Sequence, residues 1–409
     1  MKLSDLISRE ELNLRLKRGK AFSEIKGLLT PDDIQDWFHR IVSGEGTWIL
    51  FVAKTSIFKK LASEVDGFDE LWLNGRITLF VPPSVLNFVE GYLQKKSLPD
   101  SDSCPYVLMP DFDRTLAALL RIFSPPEHAS LSAKKFLTFE EALKRGWIQI
   151  LGDPSSVEAD GAFFAPWVVL EEGVKIGSGS IVYSFTFVGR NSHLGQEVVI
   201  YPHVYIGYDV QIGSRVILRS GVKVFPKSIL KDGVEVHEGT IVGSHALAYY
   251  PDEEGRRCKI PQIGYVEIGE NVEILANSVI ERGGITRTVI GDGTKVGNLV
   301  IIGHNSRVGR DCVLVGGTMM AGSTKIGDRV ITGGQVGIAD HTEIASDVLI
   351  GAKSAVAGSI RKPGVYMFVV PVMKADKARR TVASINRLYE KMKEYDSVIA
   401  QLKKKGLID

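Results

Sequence analysis

The stretch from Ile290 to Ile331 reads, in groups of six, IGDGTK, VGNLVI, IGHNSR, VGRDCV, LVGGTM, MAGSTK and IGDRVI. The first place of each group is apolar, the second is usually Gly, and the fifth is small or β-branched. A period of six fits neither the turn of an α-helix nor the alternation of a plain strand. It predicts a solenoid of short strands, in which an apolar side chain points inward and Gly or a small polar residue makes each turn.

The same register begins at Ile176 and continues to Val356, with two interruptions. Three six-residue strands would close one coil, and successive coils would stack at ~4.8 Å. Between Val242 and Ile268 the sequence is polar and turn-rich, which predicts a loop ejected from the solenoid. Four extra residues near Gly283-Gly284 predict a bulge. Loops on a rigid scaffold often carry binding function, and a plain surface excursion is the alternative.

The extent of the repeat predicts three domains. They are an N-terminal α+β domain over residues 1–135, a β-helix over 136–370 and a helical segment over 371–409. In the first domain, residues 48–53 and 76–81 predict buried strands. Thr30 and Asp111 are candidate helix starts.

The C-terminal segment carries apolar residues at alternating steps of three and four, which are Ala378, Thr381, Ile385, Leu388, Met392, Tyr395, Ile399 and Leu402. This is a heptad seam. On a lone exposed helix the seam would stay in water, so we expect it to pack against copies of itself in a homo-oligomer. Docking on the β-helix of the same chain is the alternative.

Composition excludes several classes of protein. A formal net charge of +2 produces no global field that would favour nucleic acid or an anionic membrane. Cys104, Cys258 and Cys312 form neither a disulfide framework nor a metal-ligand pattern. The N-terminus lacks the apolar core of a signal peptide, and no apolar run approaches the ~18 residues of a membrane span. We therefore expect a cytoplasmic protein without stable membrane insertion.

His304 is the leading candidate for chemistry. It holds the third place of a hexad within an aliphatic stretch, and His341 holds the fourth place of a hexad two coils later. Both are expected at one corner, on the order of 10 Å apart by the strand spacing. Imidazole suits removal of a proton from an amine or hydroxyl that attacks a thioester, and a backbone N–H at Gly303 or Gly322 could stabilise the oxyanion. Without a visible triad, Walker loop or metal cluster, transfer assisted by one base is the simplest hypothesis.

Several distinctive motifs lie between about residues 256 and 366. They are KIPQIG at 259–264, VEIG at 266–269, ERGG at 281–284, NLV at 298–300 with HN at 304–305, MAGS at 320–323, GGQVGIADH at 333–341 and PGVY at 363–366. They resemble the UDP-3-O-acylglucosamine N-acyltransferases, hexapeptide-repeat acyltransferases of lipid A biosynthesis. The segment from Pro110 to Pro126 is similar to the end of that family's uridine-binding domain.

The resemblance implies a mainly β fold with a left-handed parallel β-helix, assembled as a homotrimer with active sites between subunits. It implies transfer of a (3-hydroxy)acyl chain from acyl carrier protein, on its phosphopantetheine, to the 2-amino group of UDP-3-O-acylglucosamine, with no separate cofactor or metal. His304 would be the general base and His341 a second active-site histidine. The substrate-binding residues that it implies are Lys259, Gln262, Asn298, Asn305, Gly322 and His245.

The sequence departs from the family pattern at three places. Gly297 and Ile301 stand where the family has an acid and a glutamine before the catalytic histidine. Residues 244–249 replace an Asp-Gly-Phe-Gly run in the ejected loop, and residues 54–57 replace a uridine-contacting Asn-Pro-Lys-Tyr segment. Two alternatives therefore stay open: an acyltransferase for another nucleotide sugar or with an acyl-CoA donor, and a non-catalytic trimeric homologue.

Overall fold

A computed structural model describes residues 15–18, 25–29, 47–51, 72, 77–95, 106–108, 136–367 and 374–404. The chain forms two compact units, Met1–Ala133 and Lys134–Asp409. The candidate helix starts at Thr30 and Asp111, and the replaced segment at residues 54–57, lie outside the described residues.

The described part of the first unit contains a five-stranded sheet in the spatial order Arg15–Arg18, Tyr106–Leu108, Ile77–Val81, Thr47–Phe51 and Ile25–Leu29. Its neighbours are parallel except Arg15–Arg18, which runs antiparallel to Tyr106–Leu108. Both predicted strands are present, and every residue of Ile77–Val81 is buried. Helix α1, Pro83–Lys95, follows the latter strand.

The second unit is a parallel β-helix with three faces. We name them A, B and C, in the order in which the chain passes through them in each coil from Lys175 onward. Face A consists of Lys175–Ile176, His193–Leu194, Gln211–Ile212, Ile229–Leu230, Tyr265–Ile268, Arg287–Ile290, Arg307–Val308, Lys325–Ile326 and Glu343–Ile344. Face B consists of Leu137–Thr138, Phe163–Phe164, Ile181–Val182, Val199–Ile200, Ile217–Leu218, Glu235–Val236, Glu273–Ile274, Lys295–Val296, Val313–Leu314, Ile331–Thr332, Val348–Ile350 and Gly364–Tyr366. Face C consists of Ile148–Leu151, Val168–Glu171, Phe187–Val188, Tyr205–Ile206, Lys223–Val224, Ile241–Ser244, Val279–Glu281, Ile301–Ile302, Met319–Met320, Gly337–Ile338 and Ala355–Val356.

Strand pairing confirms the predicted coil. Ile181 pairs with Val199, and Val199 pairs with Ile217, so each strand meets its counterpart one full coil later. The predicted loop also leaves the β-helix: it follows Ile241–Ser244, forms a hairpin of Tyr249–Pro251 and Arg257–Lys259, and returns at Tyr265. The predicted bulge lies between Val279–Glu281 and Arg287–Ile290.

The core follows the hexad. First-place side chains such as Ile200 and Ile302 are fully buried and belong to one continuous apolar cluster. Several fifth-place hydroxyls are buried and bridge adjacent coils through hydrogen bonds: Ser192 Oγ donates to Gly207 O at 2.8 Å and accepts from Val210 N at 3.1 Å. These buried polar groups therefore hold adjacent coils in register at little desolvation cost. Ser228 Oγ, at the same place of its hexad, has no partner among the described residues. The short helix α2, Phe139–Lys144, packs Ala142 onto this core.

The turn is made at the fourth place of the hexad. Asn191, Asn305 and His341 there have φ of 56°, 58° and 52°, in the left-handed region that Asn adopts more readily than most residues. The second-place glycines serve another purpose. A Cβ on Gly177 would lie 2.5 Å from Gly195 O in the next coil, so these glycines leave room for the neighbouring backbone and do not make the turn.

Two neighbouring isoleucines test the assignment of inside and outside. Replacing the fully buried Ile302 by alanine is expected to cost about 2–5 kcal/mol of unfolding free energy, because it opens a cavity between stacked coils. Ile301→Ala is the matched control, since this side chain lies half-exposed on face C and should cost much less. Denaturant unfolding of both variants measures the difference; equal losses would contradict the register.

The predicted C-terminal helix is present as α3, Ala375–Lys404. Most described side chains of its seam are exposed, with 55% of Leu388, 55% of Met392 and 59% of Tyr395 accessible, whereas Thr381 and Leu402 are half-buried. This exposure disfavours docking of the seam on the β-helix of the same chain. None of the described helices has the length and apolarity required to cross a lipid bilayer.

Candidate active site

The corner at which face C turns into face A, here the C–A corner, carries most of the predicted site. Both the ejected loop and the bulge leave the β-helix there, and His304, Gly322 and His341 follow on successive coils. Ser323 N donates to His304 O at 2.7 Å, and His341 N donates to Gly322 O at 3.2 Å. The structure therefore places the two histidines at one corner, two coils apart.

The half-buried ring of His304 lies against Gly322. A Cβ at position 322 would be 2.4 Å from His304 Nε2 and 2.7 Å from Cε1, so the ring occupies space that only glycine leaves open. On its other nitrogen, His304 Nδ1 lies 3.0 Å from Asn305 Nδ2. Asn305 Oδ1 in turn accepts from Gly284 N in the bulge at 2.9 Å.

Glu281 holds the backbone of His304. Its Oε2 accepts from His304 N at 3.0 Å. Burial raises the pKa of the Glu281 carboxyl, and the hydrogen bond from His304 opposes that shift in part. Sequence reasoning gave this residue no role. One sequence signal could have pointed to it. Glu281 is an acidic residue at the end of a face C strand, immediately before the bulge and one coil before His304.

Arg282 is a second residue that sequence reasoning missed, and it ties the stem of the ejected loop to the bulge. The side chain is only 8% exposed, and its Nε donates to Gly243 O at 2.7 Å. The backbone N of Arg282 donates to Ser244 O at 2.9 Å. Burial lowers the pKa of the guanidinium group. Burial of a cation costs free energy unless its donors are hydrogen-bonded. The hydrogen bonds of Arg282 to the loop stem therefore indicate that the stem has a defined position.

The end of the loop packs against the bulge. Ile263 N donates to Gly284 O at 2.8 Å. Gln262 beside it is buried, and its Oε1 has no hydrogen-bond partner among the described residues. This oxygen and Asn305 Nδ2 lie 3.7 Å and 3.8 Å from the position of a Cβ on Gly284. Gln262 and Asn305 therefore sit on one side of the bulge.

Two other predicted site residues lie on the ejected loop, and both are exposed. They are Lys259 and His245. Lys259 ends the second strand of the hairpin, and His245 directly follows the face C strand. The pKa of His245 is lowered by partial burial and by the positive charges of Lys259 and Arg282. These charges lie near the corner but outside the cluster around His304.

Asn298 is not brought to this cluster. It lies at the corner between faces B and C, beside a 340 Å³ cavity lined by Leu275, Val296, Gly297 and Val315. Ile301, where the related family has glutamine, points out of face C between Val279 and Met319 of the adjacent coils. The C–A corner thus has an apolar approach along face C, and Gly297 lies at a different corner.

Two further features lie away from His304. Within the described residues, Glu235, His237 and Glu273 form the one group with ligand atoms close enough to hold a metal. Its carboxylates already lie 2.7 Å from Arg219 and 3.7 Å from Lys295, so the charges are balanced. A larger 910 Å³ cavity lies along face A, mostly on coils that precede the ejected loop, and is lined by apolar residues such as Leu194 and polar ones such as His193 and Lys231.

The fold and this corner define a hexapeptide-repeat parallel β-helix with a histidine, a carboxylate and a glycine-rich bulge at one site. Curated relatives of that class are similar to the chain. A probable UDP-3-O-acylglucosamine N-acyltransferase 2 of Arabidopsis thaliana is 44% identical over 133 residues, covering 32% of this chain and 44% of its own. The UDP-3-O-acylglucosamine N-acyltransferase of Bordetella avium is 40% identical over 153 residues (37% and 42%), and that of Herminiimonas arsenicoxydans 33% over 219 residues (53% and 57%).

The resemblance that the motifs indicate is confirmed: over part of its length the chain is similar in sequence to these acyltransferases. It spans about half the length of the curated relatives that it matches. No family model matches the chain. Among solved structures, UDP-N-acetylglucosamine O-acyltransferase from Moraxella catarrhalis is 21% identical and covers 60% of this chain and 94% of its own, with a TM-score of 0.38.

Proposed function

We propose that this chain is a cytoplasmic N-acyltransferase that moves a (3-hydroxy)acyl chain from acyl carrier protein to the 2-amino group of UDP-3-O-acylglucosamine. The observation that carries the proposal is the half-buried His304 at the C–A corner, which is held by Asn305 and Glu281 and packs against Gly322. The names of the curated relatives support the same acceptor and the same reaction. The N-terminal domain over residues 1–135 would bind the uridine part of the acceptor.

The chemistry requires one base and one oxyanion donor. His304 removes the proton of the acceptor amine as its nitrogen attacks the thioester carbonyl; the C–N bond forms, and the C–S bond to phosphopantetheine then breaks. The N–H of His304, one coil before Gly322 at the same corner, donates to Glu281 Oε2. Within the described residues Gly322 N has no acceptor, which leaves it available for the oxyanion.

Turnover in vitro tests the proposal. The purified full chain is incubated with 3-hydroxyacyl-loaded acyl carrier protein and UDP-3-O-acylglucosamine, and the N-acylated product is measured by mass spectrometry. Product formation is the expected result. Parallel reactions with other UDP-amino sugars and with acyl-CoA examine the nearest alternative, which the replacements at Gly297 and Ile301 favour. Acceptor binding without turnover by any donor would support a non-catalytic homologue instead.

We also propose that the chain is a homotrimer held in part by α3. Leu388→Asp combined with Met392→Asp is expected to reduce the solution mass from that of a trimer, because two charges per chain would enter the packed seam. Ser397→Asp is the matched control, since Ser397 is exposed on α3 away from the seam. Light scattering measures the mass. A monomeric wild-type chain would contradict the assembly.

A further inference from the structure

We propose that Asn305 sets the tautomer of His304: the Gly284 N–H, the Asn305 amide and His304 Nδ1 form one chain of hydrogen bonds that keeps the neutral ring protonated on Nε2. Asn305 is then a positioning residue that must turn before His304 can accept a proton at Nε2. The consequence for rate rests on the proposed function, whereas the tautomer itself does not.

The first step concerns the orientation of the amide. Amide oxygen and nitrogen are often exchangeable in a structure, and the hydrogen-bond network decides between them. Here the partner of Asn305 Oδ1 is the backbone N–H of Gly284, at 2.9 Å, and a backbone N–H can only donate. The opposite orientation would set two donors against each other and leave the Gly284 N–H without an acceptor.

The second step follows from the first. With Oδ1 directed at Gly284, Asn305 Nδ2 is the atom that lies 3.0 Å from His304 Nδ1. An amide NH₂ donates and does not accept, so Nδ1 must be the acceptor. A neutral imidazole with an acceptor on Nδ1 carries its hydrogen on Nε2. Nε2 is the ring atom that lies nearest to the position of a Cβ on Gly322.

The third step concerns what holds the arrangement. His304 is fixed through its backbone by Glu281 and Ser323, and Asn305 has the left-handed backbone of a turn. The bulge is fixed by the ejected loop, since Ile263 N donates to Gly284 O. The orientation of Asn305 thus depends on where the loop holds Gly284. The unpartnered Gln262 Oε1 lies on the same side of the bulge and offers an acceptor for an amide that has turned.

The consequence is a gate on base catalysis. An Nε2–H ring can donate to a substrate but cannot remove its proton. If Asn305 turns so that Oδ1 faces the ring, a proton leaves Nε2 for solvent, another arrives at Nδ1, and Nε2 gains the lone pair that a base needs. No net proton is gained or lost. Movement of the loop away from Gly284 would free Asn305 to turn.

The test is ¹⁵N NMR of the full-length chain with ¹⁵N-histidine, recorded at a pH at which histidines are neutral, with His304 assigned by its loss in His304→Ala. We expect a protonated Nε2 and an unprotonated Nδ1 in the wild type. In Asn305→Asp the carboxylate accepts from both Gly284 N and the ring, so the hydrogen should move to Nδ1. Asp tolerates the same turn backbone, and unchanged thermal unfolding would verify that the variant folds.

Two results would overturn the inference. One is a wild-type His304 protonated on Nδ1. The other is an Asn305→Asp variant that folds but keeps the hydrogen on Nε2. The spectra require no substrate, so they are independent of turnover. If the acyltransfer assay fails and the tautomers are as expected, only the proposed function is rejected. If acyl transfer is observed and the tautomers differ from those expected, only the role of Asn305 is rejected.

Discussion

Replacing His304 by alanine is expected to lower the rate of acyl transfer by about 10²–10⁴-fold, the usual contribution of a positioned general base. The fold should persist, because the side chain occupies the third place of its hexad, outside the apolar core, and its partners are Asn305 and the surface of Gly322. Steady-state rates with saturating acyl carrier protein and acceptor measure the loss, and circular dichroism verifies the fold.

His193→Ala is the matched control for this prediction. His193 projects from a strand of face A on an earlier coil, away from the cluster around His304, and its Nδ1 is 3.1 Å from Gln211 Nε2. Its removal should leave the rate unchanged. Turnover by His304→Ala near the rate of an active wild type would remove His304 from the role of base.

The second large effect is expected at Gly322. A Cβ there would lie 2.4 Å from His304 Nε2, so Gly322→Ala must push the imidazole aside. A displacement of about 1 Å at the reacting atoms costs on the order of 10²-fold in rate. The colliding group is the end of a side chain rather than backbone, so thermal unfolding should change little. Rates and melting temperature together separate the two effects.

Gly337→Ala provides the control for added volume at a nearby glycine. Gly337 lies on face C one coil after Met319, and a Cβ on it would have no atom within 4 Å. This variant should keep the wild-type rate and stability. If Gly322→Ala also kept the wild-type rate, the ring of His304 would not lie against Gly322 during turnover.

The hexad alone predicted the β-helix, its two interruptions and the placement of His304 and His341 at one corner, two coils apart. Each place in a six-residue period has one direction, so residues a whole number of coils apart share a corner. The same arithmetic puts Asn298 at a different corner, because it holds the third place of the preceding hexad. Its assignment came from a motif, and the hexad register had already separated it from His304.

The contacts of the site were beyond the sequence. Glu281 bonds to His304, 23 residues later, and Gly284 bonds to Asn305, 21 residues later. Neither separation is a multiple of the repeat, because the bulge lies between the two coils. Arg282 meets Gly243 on the far side of the ejected loop.

Periodicity determines which side chains point inward and which corner each residue occupies, since both follow from the backbone repeat. Which polar atoms meet at that corner was decided by the tertiary structure, since a loop and a bulge of no fixed period close there.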